Sequence, residues 1–240
     1  MTAPPAPALR DVPAGGSWRA DLGALLLLEW RRERRVPQVL PTMLLFCIGA
    51  FVLFRFGLQD GRVEGALAAG VLLVTTLLAA ILGIGRLWAA EEEEGGLDAF
   101  RLTPASPAAL VMAKALALWT FLLALHLVAV PAFLFLLAPH VDAAALPRLA
   151  AVLVLTDLGI AVVGTLVGAV AAVARSRELL VPLMAVPLLI PAVAIASEAS
   201  APLLERDAGA VEPRWWLVLA LYDAVFVAVG WAVSDGIVED

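Results

Sequence analysis

The chain has 240 residues, of which 62% are hydrophobic and 16% charged, whereas soluble domains average roughly 45–50% and 25%. A water-soluble globular enzyme is excluded, because the polar residues are too few to cover its surface. The net charge of −6 excludes nucleic acid as a partner, since no basic region is left to neutralise phosphates. The composition instead indicates an all-α integral membrane protein.

The N-terminal region begins with residues 1–17, which are rich in Pro, Ala and Gly and predict a disordered tail. The region has no long apolar core followed by a small-residue cleavage site, so no signal peptide is predicted. Residues 18–36 contain LGALLLLEWRRERR, an amphipathic pattern typical of a helix in the cytoplasmic membrane interface. Its apolar side chains repeat at helical spacing: Leu22, Leu25, Leu26 and Trp30. In a simpler interpretation, which is compatible with the first, the arginines act as a topology anchor and keep this end of the chain in the cytoplasm.

Six later stretches are apolar enough to cross a bilayer as helices, which takes about 20 residues for roughly 30 Å of hydrocarbon. They form a transmembrane domain over residues 37–238. The predicted spans are 39–54, 66–85, 115–138, 149–174, 179–197 and 215–233. In the fourth span, Gly164 and Gly168 make a GxxxG pattern that indicates close helix packing rather than activity. The single cysteine, Cys47, has no second cysteine with which to form a disulfide.

The distribution of Lys and Arg predicts the orientation of the spans. If the N-terminus is cytoplasmic, eleven of the 16 Lys and Arg residues lie inside and five outside. Because cytoplasmic loops carry the excess of positive charge, we predict that both termini are cytoplasmic.

The segment between the second and third spans, residues 89–107, reads AAEEEEGGLDAFRLTPASP. Its four consecutive glutamates prefer water, the Gly95-Gly96 pair breaks the helix, and residues 97–102 can form a short helix before a Pro-containing turn. A short cytoplasmic helix held between two spans suits docking to another protein. The alternative is a solvated acidic loop without a partner.

Three ionisable side chains fall inside predicted spans. Asp157 and Asp223 are functional-site candidates, because placing a carboxylate at membrane depth is costly. The structural alternative is an interhelical hydrogen bond or a pair with Arg148 or Arg214. His126, midway through the third span, is a candidate ligand for a metal or haem, although a hydrogen bond across helices is the more common role.

The fifth span contains three prolines, Pro182, Pro187 and Pro191. Each removes an amide donor, so this helix is predicted to be kinked or partly unwound, and the prolines are hinge candidates. The following segment, residues 198–213, is polar and predicts a short external cap or re-entrant hairpin.

The sequence contains no GxSxG, HExxH, CxxC or Walker A pattern. We therefore predict no catalytic residue, no metal site and no directly bound cofactor. If the protein transports actively, the energy comes from a partner or an ion gradient.

The order of these features resembles the haem exporter protein B family (CcmB), the membrane permease subunit of the ABC transporter of cytochrome c maturation. The resemblance runs from about Leu22 to Leu204. It rests on LEWRRERR before the first span, EEEEGGLDAFRLTP before the third, AKALALW around Lys114, and VPLLIP at residues 186–191.

The resemblance implies a six-span, ABC-2-type permease-like fold in the bacterial inner membrane, without its own nucleotide-binding domain. It implies a separate cytoplasmic ATPase (CcmA), CcmC- and CcmD-like membrane partners, a homodimer within the complex, ATP used through the ATPase, and haem as cargo in cytochrome c biogenesis. The ATPase-docking candidates carried over to the segment 89–107 are Glu91, Glu92, Glu93, Glu94, Leu97, Asp98 and Phe100.

Other functions fit the same topology. An ABC-2-type permease for a lipid, drug or polysaccharide has the same six spans. A non-transporting membrane scaffold that recruits cytoplasmic proteins is a further alternative, as is a gradient-driven carrier built on Asp157 and Asp223.

Overall fold

The computed structural model describes residues 18–58, 62–93, 107–138, 140–172 and 177–239. These ranges form seven α-helices, together with two short 3-10 helices at Ala143–Ala145 and Ala201–Leu204, and they contain no strand. The α-helices are α1 (Trp18–Arg35), α2 (Val39–Gly57), α3 (Gly65–Glu93), α4 (Pro107–Leu136), α5 (Leu146–Ala172), α6 (Arg177–Ser200) and α7 (Pro213–Glu239).

Helices α2 to α7 are each long and apolar enough to cross a membrane, which confirms the prediction of an all-α protein with six spans. Two bounds differ by eight residues: α3 ends at Glu93 rather than at residue 85, and α4 begins at Pro107 rather than at residue 115. The sequence pattern placed the start after Lys114, because a charged residue usually ends an apolar span. Lys114 is instead buried inside the helical bundle. The predicted tail, residues 1–17, lies outside the described ranges.

Helices α3 and α5 form the centre of the bundle. In the apolar stretches of α3 and α5 that could cross a membrane, 67% of the residues are buried, against 22% in α2 and 17% in α7. Helix α5 packs against α3, α4, α6 and α7, and α3 packs against α2, α5 and α6. Most of the surface of α2 and α7 is therefore left on the outside of the bundle.

Glycines bring the two central helices together. Gly164 of α5 lies against Ile84 of α3, and Gly168 lies against the indole of Trp88. A Cβ atom at either glycine would collide with these side chains. The GxxxG pattern thus provides close packing between α5 and α3, which is the usual role of small residues between membrane helices.

Helix α1 lies against α4, and its apolar face is used there. The rings of Trp30 and Phe121 meet edge to face with centroids 5.4 Å apart. The chain then turns at Pro37, which disfavours helical conformation in the residue before it. The carboxylate of Glu33 accepts hydrogen bonds from the first amides of α2, at 3.1 Å from Val39 and 2.9 Å from Leu40. An acidic side chain at a helix N-terminus satisfies free amides and complements the helix dipole.

Helix α6 stays α-helical from Arg177 to Ser200, through its three prolines. The partial unwinding expected from the prolines is therefore absent from this conformation. The neighbouring helix α7 is joined to this part of α6, because the Tyr222 hydroxyl donates to the Leu188 carbonyl at 2.8 Å.

The segment between α6 and α7 folds back onto the bundle. It starts with the 3-10 helix Ala201–Leu204, whose Leu203 and Leu204 are buried and which packs against α3. The Gly209 amide donates to the Pro202 carbonyl at 2.8 Å, and the Arg148 guanidinium donates to the Gly209 carbonyl at 3.2 Å. This arrangement is a compact cap over one end of α3.

Candidate functional site

The docking segment predicted at residues 89–107 is described only at its two ends. Helix α3 continues through Glu91, Glu92 and Glu93, so the acidic run begins within a helix rather than in a loop. Glu94, Leu97, Asp98 and Phe100 lie outside the described residues. The structure therefore fixes the two helix ends between which the segment is held, and the side chains around those ends define the first candidate site.

Three helices meet at the ammonium group of Lys114, at the end of the bundle where α1 lies. Lys114 Nζ is 2.9 Å from Glu29 Oε1 of α1, and the two side chains are 0% and 8% exposed. The ammonium group also lies 4.9 Å from the centroid of the Trp88 ring and donates to the Leu87 carbonyl at 3.4 Å. We call these four residues the junction.

The junction satisfies the electrostatic requirements of a buried lysine. A carboxylate neutralises the charge, an aromatic face attracts it, and a backbone carbonyl accepts a further hydrogen bond. Glu29 has a second cation nearby, since Arg32 Nη1 lies 3.8 Å from its Oε1. Sequence analysis missed this site. The available signals were an acid on the apolar side of α1, three residues after Leu26, and the isolated base Lys114 at the start of an apolar helix.

The second candidate site is a polar triad in the middle of the bundle, made by Thr76 of α3, His126 of α4 and Asp157 of α5. His126 Nδ1 lies 2.8 Å from Asp157 Oδ2, and His126 Nε2 lies 3.2 Å from Thr76 Oγ1. The Thr76 hydroxyl donates to the Leu72 carbonyl at 3.0 Å. The triad links the two central helices to α4, and its three members are all buried.

The triad gives the buried carboxyl group of Asp157 a partner. Its Oδ2 is paired with His126 Nδ1, and the second ring nitrogen of His126 is paired with the Thr76 hydroxyl. Because a buried polar group is costly unless it is hydrogen-bonded, these two contacts compensate the burial of the imidazole and of one carboxyl oxygen of Asp157.

The contacts of the triad bear on the two roles considered for His126. Both ring nitrogens are engaged, so neither offers a lone pair to a metal or to haem iron in this conformation. Among the described residues, no group of three or more His, Cys, Asp or Glu side chains is placed to hold a metal ion. The structure therefore favours the hydrogen bond across helices over metal or haem ligation.

Asp223 of α7 lies against α5 at Gly159, where an added Cβ would approach Asp223 Oδ1 to 2.6 Å. Asp223 is 5% exposed, and neither of its oxygens has a hydrogen-bond partner among the described residues. Gly159 thus makes the space that the carboxylate occupies, and the structure does not bring Asp223 together with the triad through any hydrogen bond between described groups.

The suggested pairing of the two aspartates with Arg148 or Arg214 is wrong. Arg214 Nε pairs with Glu212 at 2.8 Å, and Arg148 donates to a backbone carbonyl of the cap. Both arginines find local partners at their own end of the bundle. Asp157 is instead compensated by His126 from the neighbouring helix.

Six apolar helices, four of which pack around a buried central pair, define a multi-pass α-helical membrane protein. The sequence model of the family described as CcmB protein matches residues 20–235, and the chain belongs to this family. The resemblance drawn from the motifs is thereby confirmed.

Three curated relatives carry the name Heme exporter protein B. The protein of Rhodobacter capsulatus is 33% identical over 176 residues, which cover 73% of this chain and 80% of the relative. The protein of Paracoccus denitrificans is 30% identical over 196 residues, covering 81% and 87%. The protein of Pseudomonas aeruginosa is 31% identical over 177 residues, covering 73% and 78%.

Proposed function

We propose that this chain is the membrane permease subunit of an ABC transporter that exports haem for cytochrome c biogenesis and is powered by a separate ATPase subunit. The observation that carries the proposal is the similarity to relatives named Heme exporter protein B, which extends over 73–81% of this chain. The six apolar helices supply the membrane-embedded body that such a subunit needs.

ATP hydrolysis belongs to a partner in this proposal. The sequence has no Walker A pattern, so a P-loop site for ATP must come from a cytoplasmic, CcmA-like ATPase. We place its docking site on the acidic segment 89–107. Helix α3 carries the start of this segment out of the bundle, and the buried junction holds both flanking helices in place. An ATPase docked there can move α3 and α4 directly.

The excess of Lys and Arg on the side of α1 supports a cytoplasmic location for that end of the bundle, with both termini inside. We assign the chain to the bacterial inner membrane. CcmC- and CcmD-like proteins are the further partners expected for this family. A second copy of the chain completes the complex, since an ABC exporter encloses its pathway with two membrane halves.

The test is to purify the tagged chain from its native membrane in mild detergent and to identify the proteins that accompany it. A P-loop ATPase in stoichiometric amount is expected, and it is expected to be lost when Glu91, Glu92, Glu93 and Glu94 are replaced by alanine. The matched control replaces acids at the opposite end of the bundle, Glu205, Asp207 and Glu212, and retains the ATPase.

The cargo is tested in the same strain. Deletion of the gene is expected to abolish covalent haem in c-type cytochromes, and the wild-type chain but not the quadruple alanine variant restores it. Recovery of the chain without any ATPase contradicts the transporter proposal. Normal c-type cytochromes in the deletion strain, with the ATPase still bound to the wild-type chain, indicate a permease for another cargo.

A further inference from the structure

The junction lies near the end of α3 and the beginning of α4. Trp88 and Leu87 belong to the last turns of α3, Lys114 belongs to the first turns of α4, and Glu29 belongs to α1. From α4, the ammonium group of Lys114 contacts α1 through Glu29 at 2.9 Å, and α3 through the Leu87 carbonyl at 3.4 Å and the Trp88 ring at 4.9 Å from its centroid. One buried charge therefore fixes the position of α1 on the two helices that flank the docking segment.

An ion pair at this place does more than stabilise the fold. Two apolar side chains of similar volume often stabilise a buried site as well as an ion pair does, because they carry no desolvation cost. An apolar contact has no preferred direction and lets two helices slide past each other. The hydrogen bond between Glu29 and Lys114 instead selects one register of α1 on α4, and it resists sliding.

Helix α1 is also hydrogen-bonded to the start of α2. Only residues 36–38 separate the two helices, and the carboxylate of Glu33 holds the first turn of α2 through the amides of Gln38, Val39 and Leu40. These bonds are 3.3, 3.1 and 2.9 Å long. A displacement of α1 is therefore transmitted to the start of α2, one of the two least buried spans.

We propose that Lys114 and Glu29 are positioning residues that make α1 move as one body with the adjacent ends of α3 and α4, and that Glu33 passes this movement to α2. The inference rests on the proposed function, in which an ATPase docks between those ends of α3 and α4. ATP binding displaces the two helix ends, the Glu29–Lys114 pair carries α1 with them, and the first turn of α2 follows.

The test measures the distance between two spin labels in the complex of the full chain with its co-purified ATPase. One label is placed on α1 at Leu27→Cys and the other at the opposite end of α7, at Leu217→Cys, since the native side chains are 49% and 70% exposed. The native Cys47 is fully buried and shielded from the reagent. We expect ATP with vanadate to change this distance in the wild-type background.

The decisive variant replaces both partners, Glu29→Leu with Lys114→Met, so that no unpaired charge is left in the interior. We expect it to fold and to retain the ATPase, but to lose at least half of the ATP-induced change in distance. The matched control, Glu212→Gln, removes an exposed ion pair at the other end of the bundle and keeps the full change.

Two results overturn the inference while the proposed function stands. The first is an ATP-induced change of full size in the double variant. The second is a wild-type complex in which the ATPase is bound but the distance does not respond to ATP. Absence of the ATPase from the wild-type preparation is a different result, which overturns the proposed function and this inference together.

Discussion

The imidazole of His126 and the carboxyl group of Asp157 are hydrogen-bonded in the interior of the bundle, with Nδ1 and Oδ2 2.8 Å apart. The Asp157 side chain is 0% exposed and that of His126 is 8% exposed. A lone carboxylate at this depth would be costly, and the hydrogen bond to the histidine offsets part of this cost. The pair therefore joins α4 to α5, and neither member is independent of the other.

This dependence predicts unequal effects of single and double substitutions. His126→Leu leaves Asp157 without its partner and is expected to cost about 3–5 kcal/mol of stability, the usual penalty for breaking a buried pair. The double variant, His126→Leu with Asp157→Leu, is expected to cost less than half as much. Thermal unfolding in detergent measures both, in a double-mutant cycle.

The control is His140→Ala, because His140 is exposed on the loop before α5 and should change stability by less than about 0.5 kcal/mol. Asp157→Leu alone completes the cycle. A double variant whose cost equals the sum of the two single costs would show that the two side chains act separately, and would contradict the dependence between them.

The contact between Gly159 and Asp223 predicts a second, spatially separate effect. Gly159→Ala brings a methyl group to 2.6 Å from Asp223 Oδ1 and 3.1 Å from the Tyr222 ring, so α7 must shift away from α5. We expect a loss of about 1–3 kcal/mol, which is typical of overpacking. Thermal unfolding measures it, and Asp223→Ala in the same chain should recover most of the loss.

Gly49→Ala in α2 is the matched control, because nothing lies within 4 Å of the position that its Cβ would take. It should leave stability unchanged or raise it slightly, since alanine favours helices. A similar loss at both glycines would mean that helix propensity or lipid contact, rather than the space around Asp223, determines the result.

The helices were predictable because each span is a local property of the sequence. About 20 apolar residues in a row need no knowledge of their neighbours to be recognised. The position of Lys114 shows the limit of that approach. Its partner Glu29 lies 85 residues away, so no periodicity connects them, and from the sequence alone a lysine beside an apolar stretch indicates the boundary of a span rather than a buried residue.

The polar triad was predictable only in part. His126 and Asp157 stand out in the sequence as ionisable residues inside spans, but the fact that they meet depends on how α4 packs on α5. Thr76 carried no signal, because a threonine in a helix commonly bonds its own backbone. The prolines of α6 indicate partial unwinding, because they remove amides from the helix, yet the helix is continuous from Arg177 to Ser200. How α6 packs against its neighbours is not visible in the sequence.

The hydrogen bonds of Glu33 predict a local effect at the start of α2. Glu33→Ala frees the amides of Gln38, Val39 and Leu40, and the loss of a cap of this kind costs about 0.5–2 kcal/mol. Hydrogen exchange followed by mass spectrometry should show faster exchange in a peptide covering these amides. Glu64→Ala, at an exposed glutamate before α3, serves as the control and should leave this peptide unchanged. Unchanged exchange in Glu33→Ala would mean that solvent or headgroups, not Glu33, protect these amides.

The surroundings of the Glu29–Lys114 pair predict that exchanging the two charged residues does not restore the stability that is lost when the pair is broken. Lys114→Met alone leaves Glu29 as a nearly buried, weakly compensated acid and is expected to cost about 3–5 kcal/mol. The exchange of the two residues, Glu29→Lys with Lys114→Glu, keeps the net charge but places a carboxylate against the Trp88 ring and the Leu87 carbonyl. Both of these groups attract cations and repel anions. We therefore expect the exchanged chain to be about as unstable as the single variant, and Glu29→Leu with Lys114→Met to be the most stable of the three. Thermal unfolding ranks the three variants directly, and full recovery in the exchanged chain would show that the pair depends on charge alone and not on the surrounding ring and carbonyl.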